Sequence, residues 1–195
     1  MSRTPRVISA TGIYHVMMRG INHQIIFRDD QDYRFFLSFM KRSLMRVDSY
    51  NNSIGSNCTY YAYCLMPNHI HLLVKEGLDT IGIVVKKIAS SFVYYYNHKY
   101  QRDGHLFKER YRSGPVNDMA YFTMLLRYIH RNSVEAHLVK DVTDYPYSSW
   151  REYCGKAKSD LMVCNTASVL RRIPFKELER MVNAPLPTDL FDSNV

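Results

Sequence analysis

The chain has 195 residues, of which 46% are hydrophobic, and 26 Lys and Arg against 18 Asp and Glu leave a net charge of +8. That length suits one domain with a real core. No apolar run is long enough to cross a membrane, and the first residues lack the apolar core of a signal peptide. With four cysteines and no Cys-x-x-Cys pair, we expect a cytoplasmic protein with free thiols. The positive charge favours a polyanionic partner.

The first half of the chain predicts a strand, a helix and a hairpin, in that order. Residues 12–20 favour a strand, and Asp29 or Asp30 can cap the helix that follows. That helix has an apolar stripe with members three or four residues apart: Tyr33, Phe36, Met40, Leu44 and Val47. Residues 49–57 form a polar loop, and residues 58–65 form a second strand. Met66-Pro67-Asn68 then turns the chain back into a third strand.

Two histidines begin this third strand. Side chains alternate between the faces of a strand, so His69 and His71 point the same way while Ile70 points into a core. Two imidazoles side by side can bind a divalent metal. The alternative is a pair of ordinary histidines at the end of a strand, which is the commoner meaning of a bare His-x-His.

The second half opens with a long helix from Asp79 to about Tyr100, followed by a segment rich in cations and aromatic rings. Aromatic side chains can stack on unpaired bases while cations contact phosphates. A solvated surface is the alternative. The candidate DNA-binding residues, on the outside of the helix and in residues 97–113, are Lys86, Lys87, His98, Lys99, Arg102, Lys108, Arg110 and Arg112.

A further strand at residues 111–116 leads to a helix over residues 119–132, capped by Asn117 or Asp118. At about 100° per residue, its apolar side chains form one buried face. Tyr128 and Asn132 fall on a polar stripe beside that face, one turn apart, so a phenol and an amide can reach one small site. Asn132 as a helix cap and Tyr128 as an ordinary rim residue are the alternatives. Four tyrosines of the preceding helix are rival nucleophiles: Tyr94, Tyr95, Tyr96 and Tyr100.

This order of elements predicts an α+β fold with an antiparallel sheet, as in ferredoxin-like and RNA-recognition domains. We place one domain at residues 1–153. Residues 154–195 are predicted to be a C-terminal extension with short helices at 167–173 and 174–183. An extended or flexible tail follows from Ala184.

The chain resembles the HUH-class single-tyrosine transposases, and most of all the REP-associated tyrosine transposases. The resemblance covers residues 12–153 and rests on motifs that are specific only in combination. They are Tyr14-His15-Val16 with Arg19-Gly20 and Phe27, Met66-Pro67-Asn68-His69-Ile70-His71-Leu72, Gly104-His105-Leu106-Phe107 with Arg110-Tyr111, Tyr128-Ile129-His130 with Asn132, and Tyr145-Pro146 with Ser148-Ser149. One departure is Ser133, where the family often has proline, and this leaves the end of the helix less defined.

The resemblance implies an HUH endonuclease architecture and a strand transferase that cleaves single-stranded DNA at hairpin-associated sites. It implies that Tyr128 is the nucleophile and forms a 5′-phosphotyrosine intermediate. His69, His71 and Asn132 would bind Mg²⁺ or Mn²⁺. The expected partner is single-stranded or hairpin DNA, with no membrane and no nucleotide cofactor, and a monomer is favoured over a dimer. The alternatives are a non-catalytic nucleic-acid-binding module of this fold and a rolling-circle initiator nuclease. Against the latter, there is no helicase segment and no second adjacent tyrosine.

Overall fold

A computed structural model describes residues 7–50 and 52–186, so the tail predicted beyond residue 186 lies outside the described residues. A four-stranded antiparallel sheet forms its centre, in the order β4-β5-β1-β6. These strands are β1 Ile13–Arg19, β4 Cys58–Met66, β5 His69–Glu76 and β6 Arg112–Pro115. A separate hairpin pairs β2 Met45–Val47 with β3 Ser53–Ser56. The helices are α1 Asp30–Ser43, α2 Ile81–Tyr100, α3 Met119–Glu135, α4 Trp150–Tyr153, α5 Thr166–Leu170 and α6 Phe175–Asn183.

The predicted fold class is confirmed. Strand β1, helix α1, the β4–β5 hairpin, helix α2 and strand β6 follow one another as in a ferredoxin-like domain. The first strand lies in the middle of the sheet between β5 and β6, and every pairing is antiparallel. The β2–β3 hairpin is an insertion between α1 and β4.

One face of the sheet packs against α1 and α2. Alternate residues of β1 and β5 point to this side and are buried: Tyr14, Val16, Met18, Ile70, Leu72 and Val74. The apolar side of α2 packs on them, and its Ile88 and Phe92 are almost inaccessible to solvent.

Helix α3 covers the opposite face of the sheet. Its predicted apolar face is buried against Leu73 of β5 and the neighbouring side chains of β4. The helices α4, α5 and α6 pack around the same core, with Trp150, Leu178 and Val182 almost fully buried. Because helices cover both faces of the sheet, side chains between the sheet and α3 lie in a partly enclosed space.

The structure corrects the sequence prediction at several elements. The polar loop predicted at residues 49–57 contains strand β3, whose backbone pairs with β2. Helix α1 ends at Ser43, so Val47 lies on β2 and is 51% exposed instead of extending the buried stripe. Thr80, not Asp79, occupies the N-cap position of α2, because the carboxylate of Asp79 binds Arg46 and Lys87 instead. Helix α3 runs three residues past Asn132, since Ser133 retains the backbone N–H that a proline would lack.

None of the helices within the described ranges is long and apolar enough to cross a membrane.

Candidate active site

The floor of the site is the start of β5, on the face that α3 covers. His69 and His71 point to this face, with their ring centroids 5.0 Å apart, while the intervening Ile70 is buried on the other face. The Nδ1 atom of His69 lies 2.7 Å from the Oδ1 atom of its neighbour Asn68. Because that amide oxygen can only accept, the Nδ1–H of His69 donates to it and the lone pair of Nε2 stays available.

Helix α3 supplies the other side of the site. The ring of Tyr128 meets the edge of His71 with centroids 5.3 Å apart. One turn later, the Nδ2 atom of Asn132 donates to the carbonyl oxygen of Tyr128 at 2.9 Å. Its amide nitrogen is thereby engaged, so the Oδ1 atom is the group that Asn132 can offer to a metal. The structure thus brings together His69, His71, Tyr128 and Asn132.

A third histidine, His15, belongs to this site and was missed as a functional residue in the sequence. It lies on β1, next to β5, and its Nε2 atom is 3.0 Å from the Nδ1 atom of His71. The two rings stack with centroids 5.2 Å apart. The signal that could have found it is the alternation of β1 combined with a ferredoxin-like strand order, which places β1 directly beside β5.

The histidines of the site are neutral at physiological pH. Burial, together with the positive charge of Arg19, lowers the pKa of His69 to about 4, although a hydrogen bond with Asn132 partly opposes this shift. Burial also lowers the pKa of His15 to about 4. For His71, burial lowers the pKa well below its usual value, and the other two imidazoles add to the effect. Metals bind neutral imidazole, so this protonation state suits a metal site.

These side chains fit the divalent metal that the fold family implies. Neutral imidazoles can ligate a divalent transition-metal ion such as Mn²⁺, and an amide oxygen suits both Mn²⁺ and Mg²⁺, with water completing the coordination shell. Within residues 7–50 and 52–186, this site included, no group of three His, Cys, Asp or Glu side chains is arranged to hold a metal. A metal at this site would therefore depend on Asn132 for its third protein ligand.

The rival tyrosines lie on the other side of the sheet, because α2 packs against the face that the two β5 histidines do not occupy. Tyr95 and Tyr100 donate hydrogen bonds to the carboxylate of Asp32, and Tyr96 donates to the carbonyl oxygen of Ile25. Tyr94 is 76% exposed on the outer surface of α2. Within the described residues, these positions leave Tyr128 as the tyrosine next to His71.

Five of the eight predicted DNA-binding residues line one groove of about 1260 Å³ between α2 and the segment that follows it. They are Lys86, His98, Arg102, Lys108 and Arg110. The aromatic rings of Tyr94, Phe107 and Tyr111 line the same groove. Cations and rings therefore share one surface, as the interleaved sequence predicts.

The other three predicted DNA-binding residues form ion pairs with carboxylates of the protein. Lys87 pairs with the buried Asp79 at 2.6 Å. Lys99 pairs with Asp29 at 2.7 Å and with the fully buried Asp32 at 2.8 Å. Arg112 lies 3.5 Å from Glu109 with both side chains about half exposed, so this pair is weak and screened by solvent. Lys87 and Lys99 are thus less available for a phosphate than the groove residues.

Comparison with known proteins places this arrangement in a family context. The family model described as "Transposase IS200 like" matches residues 10–132, which is more than half of the chain. That range includes all four residues that the structure brings together at the site. The match ends at Asn132, so the C-terminal segment that packs on α3 lies outside it.

Two individual proteins are also similar to the chain. A curated protein of Haemophilus influenzae, described as a REP-associated tyrosine transposase, is 25% identical over 120 residues, covering 53% of this chain and 68% of the relative. A solved structure of a REP-associated tyrosine transposase bound to a REP hairpin superposes with a TM-score of 0.61. It is 18% identical, and the alignment covers 85% of this chain and 93% of the solved one. That structural likeness supports the fold.

Proposed function

Because the chain belongs to the IS200-like transposase family, we propose that it cleaves and rejoins single-stranded DNA at hairpin-associated sites, using Tyr128 as the nucleophile. The observation that carries this proposal is the convergence of a phenol, two neutral imidazoles and an amide between β5 and α3. The ring of Tyr128 lies 5.3 Å from that of His71, and Asn132 stands one turn further along the same helix.

In the proposed reaction the Oη atom of Tyr128 attacks the phosphorus of a DNA phosphodiester. A new bond joins the tyrosine to phosphorus, the bond from phosphorus to the 3′ oxygen breaks, and the 3′ oxygen gains a proton as the phenol loses one. The product is a 5′-phosphotyrosine and a free 3′-OH. Since the phosphodiester energy is kept in the new bond, the 3′-OH of another strand can reverse the step and join the two.

The environment of Tyr128 supports a role for a metal in this proposed reaction. Burial raises the pKa of Tyr128, and a side-chain hydrogen bond with Asn132 partly opposes that rise. The phenol is therefore protonated before DNA binds and needs a nearby positive charge to become a nucleophile. A divalent metal, Mg²⁺ or Mn²⁺, held by His69, His71 and Asn132 would supply that charge and polarise the phosphate.

The groove lined by Lys86, His98, Arg102, Lys108 and Arg110 is the proposed DNA-binding surface. Its cations suit phosphates, and its aromatic rings suit unpaired bases. The solved relative is bound to a REP hairpin, which supports a hairpin-forming strand as the substrate of this chain too. No nucleotide cofactor enters the proposed chemistry.

We also propose that one polypeptide holds a complete site. His69 and His71 on β5 and Tyr128 on α3 meet within a single chain, and no partner copy is needed to bring them together. Light scattering should therefore show a monomer, and the monomeric fraction should form the protein–DNA adduct. Activity restored on mixing a Tyr128 variant with a His71 variant would contradict this, since it would require a site shared between two chains.

The central test is covalent capture of DNA. Incubation with a labelled hairpin oligonucleotide and Mn²⁺ should give a protein–DNA adduct that survives denaturing electrophoresis. Tyr128→Phe should bind the oligonucleotide and give no adduct, because a phenyl ring has no oxygen to attack phosphorus. Tyr121→Phe is the matched control, as it removes a hydroxyl from the same helix, and it should still give the adduct. An adduct formed by Tyr128→Phe would assign the nucleophile to another tyrosine.

The metal ligands are tested in the same assay. His69→Ala and His71→Ala should lose both Mn²⁺ binding, measured by calorimetry, and adduct formation. Asn132→Ala should be milder, because water can replace one oxygen ligand of a hard cation. Full activity of both histidine variants in the presence of a chelator would remove the metal from the proposal. Tight hairpin binding by the unaltered protein with no adduct under any metal would favour the non-catalytic module instead.

A further inference from the structure

Arg19 lies on the floor of the candidate active site, and the proposed reaction assigns no role to its positive charge. It ends β1 and pairs with His69 across the β1–β5 ladder. Strand alternation gives Arg19 the same face as His15, so its side chain lies beside the two histidines of β5.

The guanidinium is held in place from the other side by His23. The Nη2 atom of Arg19 binds the Nδ1 atom of His23, and the carbonyl oxygen of His23 accepts a hydrogen bond from the Nδ2 atom of Asn68 at 3.4 Å. In the turn that carries His23, Asn22 and His23 have φ angles of 51° and 58°, in the left-handed region that asparagine and histidine adopt more readily than most residues.

One donor of this guanidinium lacks an acceptor. The Nε atom of Arg19 is buried and has no hydrogen-bond partner among the described residues. None of the ion pairs found in residues 7–50 and 52–186 includes Arg19. A buried, unsatisfied donor on a charged group is costly. A guanidinium next to a site for a divalent cation is also repelled by that cation unless an anion lies between them.

We propose that Arg19 binds a phosphate of the DNA substrate, donating from Nε to a non-bridging oxygen of a phosphodiester seated over His69 and His71. A guanidinium presents parallel donors that match two phosphate oxygens. The phosphate satisfies Nε and separates the charge of Arg19 from that of the metal. His23 acts as a positioning residue that fixes the direction of the fork. This inference rests on the proposed function, since it names a contact to the same substrate.

The test combines variants of Arg19 with DNA in which one phosphate at a time is replaced by an uncharged methylphosphonate. Binding is measured with protein that carries Tyr128→Phe, so that no cleavage intervenes. In that background, one phosphate near the cleavage position should be sensitive, and its replacement should weaken binding roughly 10- to 100-fold. In protein that also carries Arg19→Gln, replacing that phosphate should weaken binding by less than about twofold, because the contact is already lost. The loss of affinity on replacing any other phosphate should be the same with and without Arg19→Gln.

Three further variants separate this contact from a structural role. With Arg19→Lys, replacing the sensitive phosphate should still weaken binding, but by less than in protein with Arg19. An ammonium retains the positive charge but lacks the parallel donors of a guanidinium. His23→Ala should reduce the penalty at the same phosphate without moving it to another. Arg180→Gln, at an exposed position of α6, should reproduce the unaltered pattern. Thermal unfolding of each variant shows whether it is folded, and if Arg19→Gln is not, the scan with Arg19→Lys decides.

A methylphosphonate pattern that is the same with and without the Arg19 side chain overturns the inference. This failure is distinct from failure of the proposed function. If the hairpin does not bind, or the unaltered protein forms no adduct, the function itself is wrong. If hairpin binding and adduct formation persist without any coupling to Arg19, only the inference is wrong.

Discussion

His15 shows how one side chain on a neighbouring strand can prepare the proposed metal ligand His71. Its Nε2 atom is 3.0 Å from the Nδ1 atom of His71, so one proton is shared between these two nitrogens. When Nδ1 of His71 carries the proton, its Nε2 atom keeps a lone pair for a metal. Groups that orient a metal-bound histidine in this way typically contribute about 10- to 100-fold to metal affinity.

We therefore expect His15→Phe to weaken Mn²⁺ binding about tenfold, as measured by titration calorimetry, while leaving a folded protein. Phenylalanine keeps the ring that stacks on His71 and removes only the nitrogen that fixes its tautomer. The control is His137→Asn, at a position with a φ of 56° that asparagine tolerates. Unchanged Mn²⁺ affinity in His15→Phe would show that His71 is oriented by other contacts.

Helix α3 carries Tyr128 and Asn132 and is held from behind by the C-terminal extension. The Nη1 atom of Arg131 donates to the carbonyl oxygens of Val182 and Asn183, each at 3.1 Å. Arg127 donates to the carbonyl oxygens of Ala184 and Pro185. A guanidinium at the C-terminal end of α6 also suits the negative end of the helix dipole. The segment outside the family match thus fixes the helix that presents the candidate nucleophile.

Arg131→Met should lower the free energy of unfolding by about 1.5–3 kcal/mol, the usual size of a charged hydrogen-bond contribution. It should also speed amide hydrogen exchange in α6 and in the second half of α3. Methionine is chosen because it keeps most of the volume of a side chain that is only 11% exposed. Arg180→Met, on the solvent side of α6, should change the unfolding free energy by less than about 0.5 kcal/mol. Unaltered exchange in α3 would mean that α6 does not brace it.

At the scale of the whole molecule, two buried histidines, His71 and His130, and two half-buried ones, His15 and His69, make stability depend on pH. Burial lowers the pKa of His130 to about 3, that of His15 and His69 to about 4, and that of His71 well below its usual value. In the unfolded chain each titrates near about 6.5. Between these values the unfolded state binds more protons than the folded one, so stability is fully present above pH 6.5 and is lost as the pH falls towards 4.

The expected result is a fall in unfolding free energy between pH 6.5 and 5, measured by urea denaturation without metal. Each histidine contributes up to about 1.4 kcal/mol per pH unit well below pH 6.5. His130→Gln should reduce the slope by about one proton, although it also lowers stability at every pH because His130 lies 2.8 Å from Ser149. Constant or rising stability over this range would show that these histidines are protonated in the folded protein.

The net charge of +8 and the groove along α2 predict DNA binding that weakens steeply with salt and favours hairpin over blunt duplex DNA. Two neighbouring lysines allow a matched test. Lys86 lines the groove, whereas Lys87 is paired with the buried Asp79. Lys86→Ala should reduce the slope of log affinity against log salt by roughly 0.7–0.9, and Lys87→Ala should leave it unchanged. Equal effects of the two variants, or affinity insensitive to salt, would exclude the groove as the DNA-binding surface.

Several features of this protein follow from local sequence alone. Helix periodicity identified the buried face of α3, and strand alternation placed His69 and His71 on one side of β5, because both patterns depend only on backbone geometry. The motifs spread along the chain identified the family, and the family match confirms it. The polar stripe of Tyr128 and Asn132 was also visible, since one helical turn separates them.

Other features depend on which elements become neighbours, and these were decided by the tertiary structure. The contact between His15 and His71 exists because β1 lies beside β5 in the sheet, a pairing between residues 56 positions apart. The ion pairs of Lys87 and Lys99 form with carboxylates brought close by other elements, so a count of charges in the sequence could not show that these two cations are engaged within the fold. The packing of α6 on α3 joins two segments that share no local pattern. Long-range contacts of this kind arise from burial of apolar surface, which is non-directional and leaves no local pattern to read.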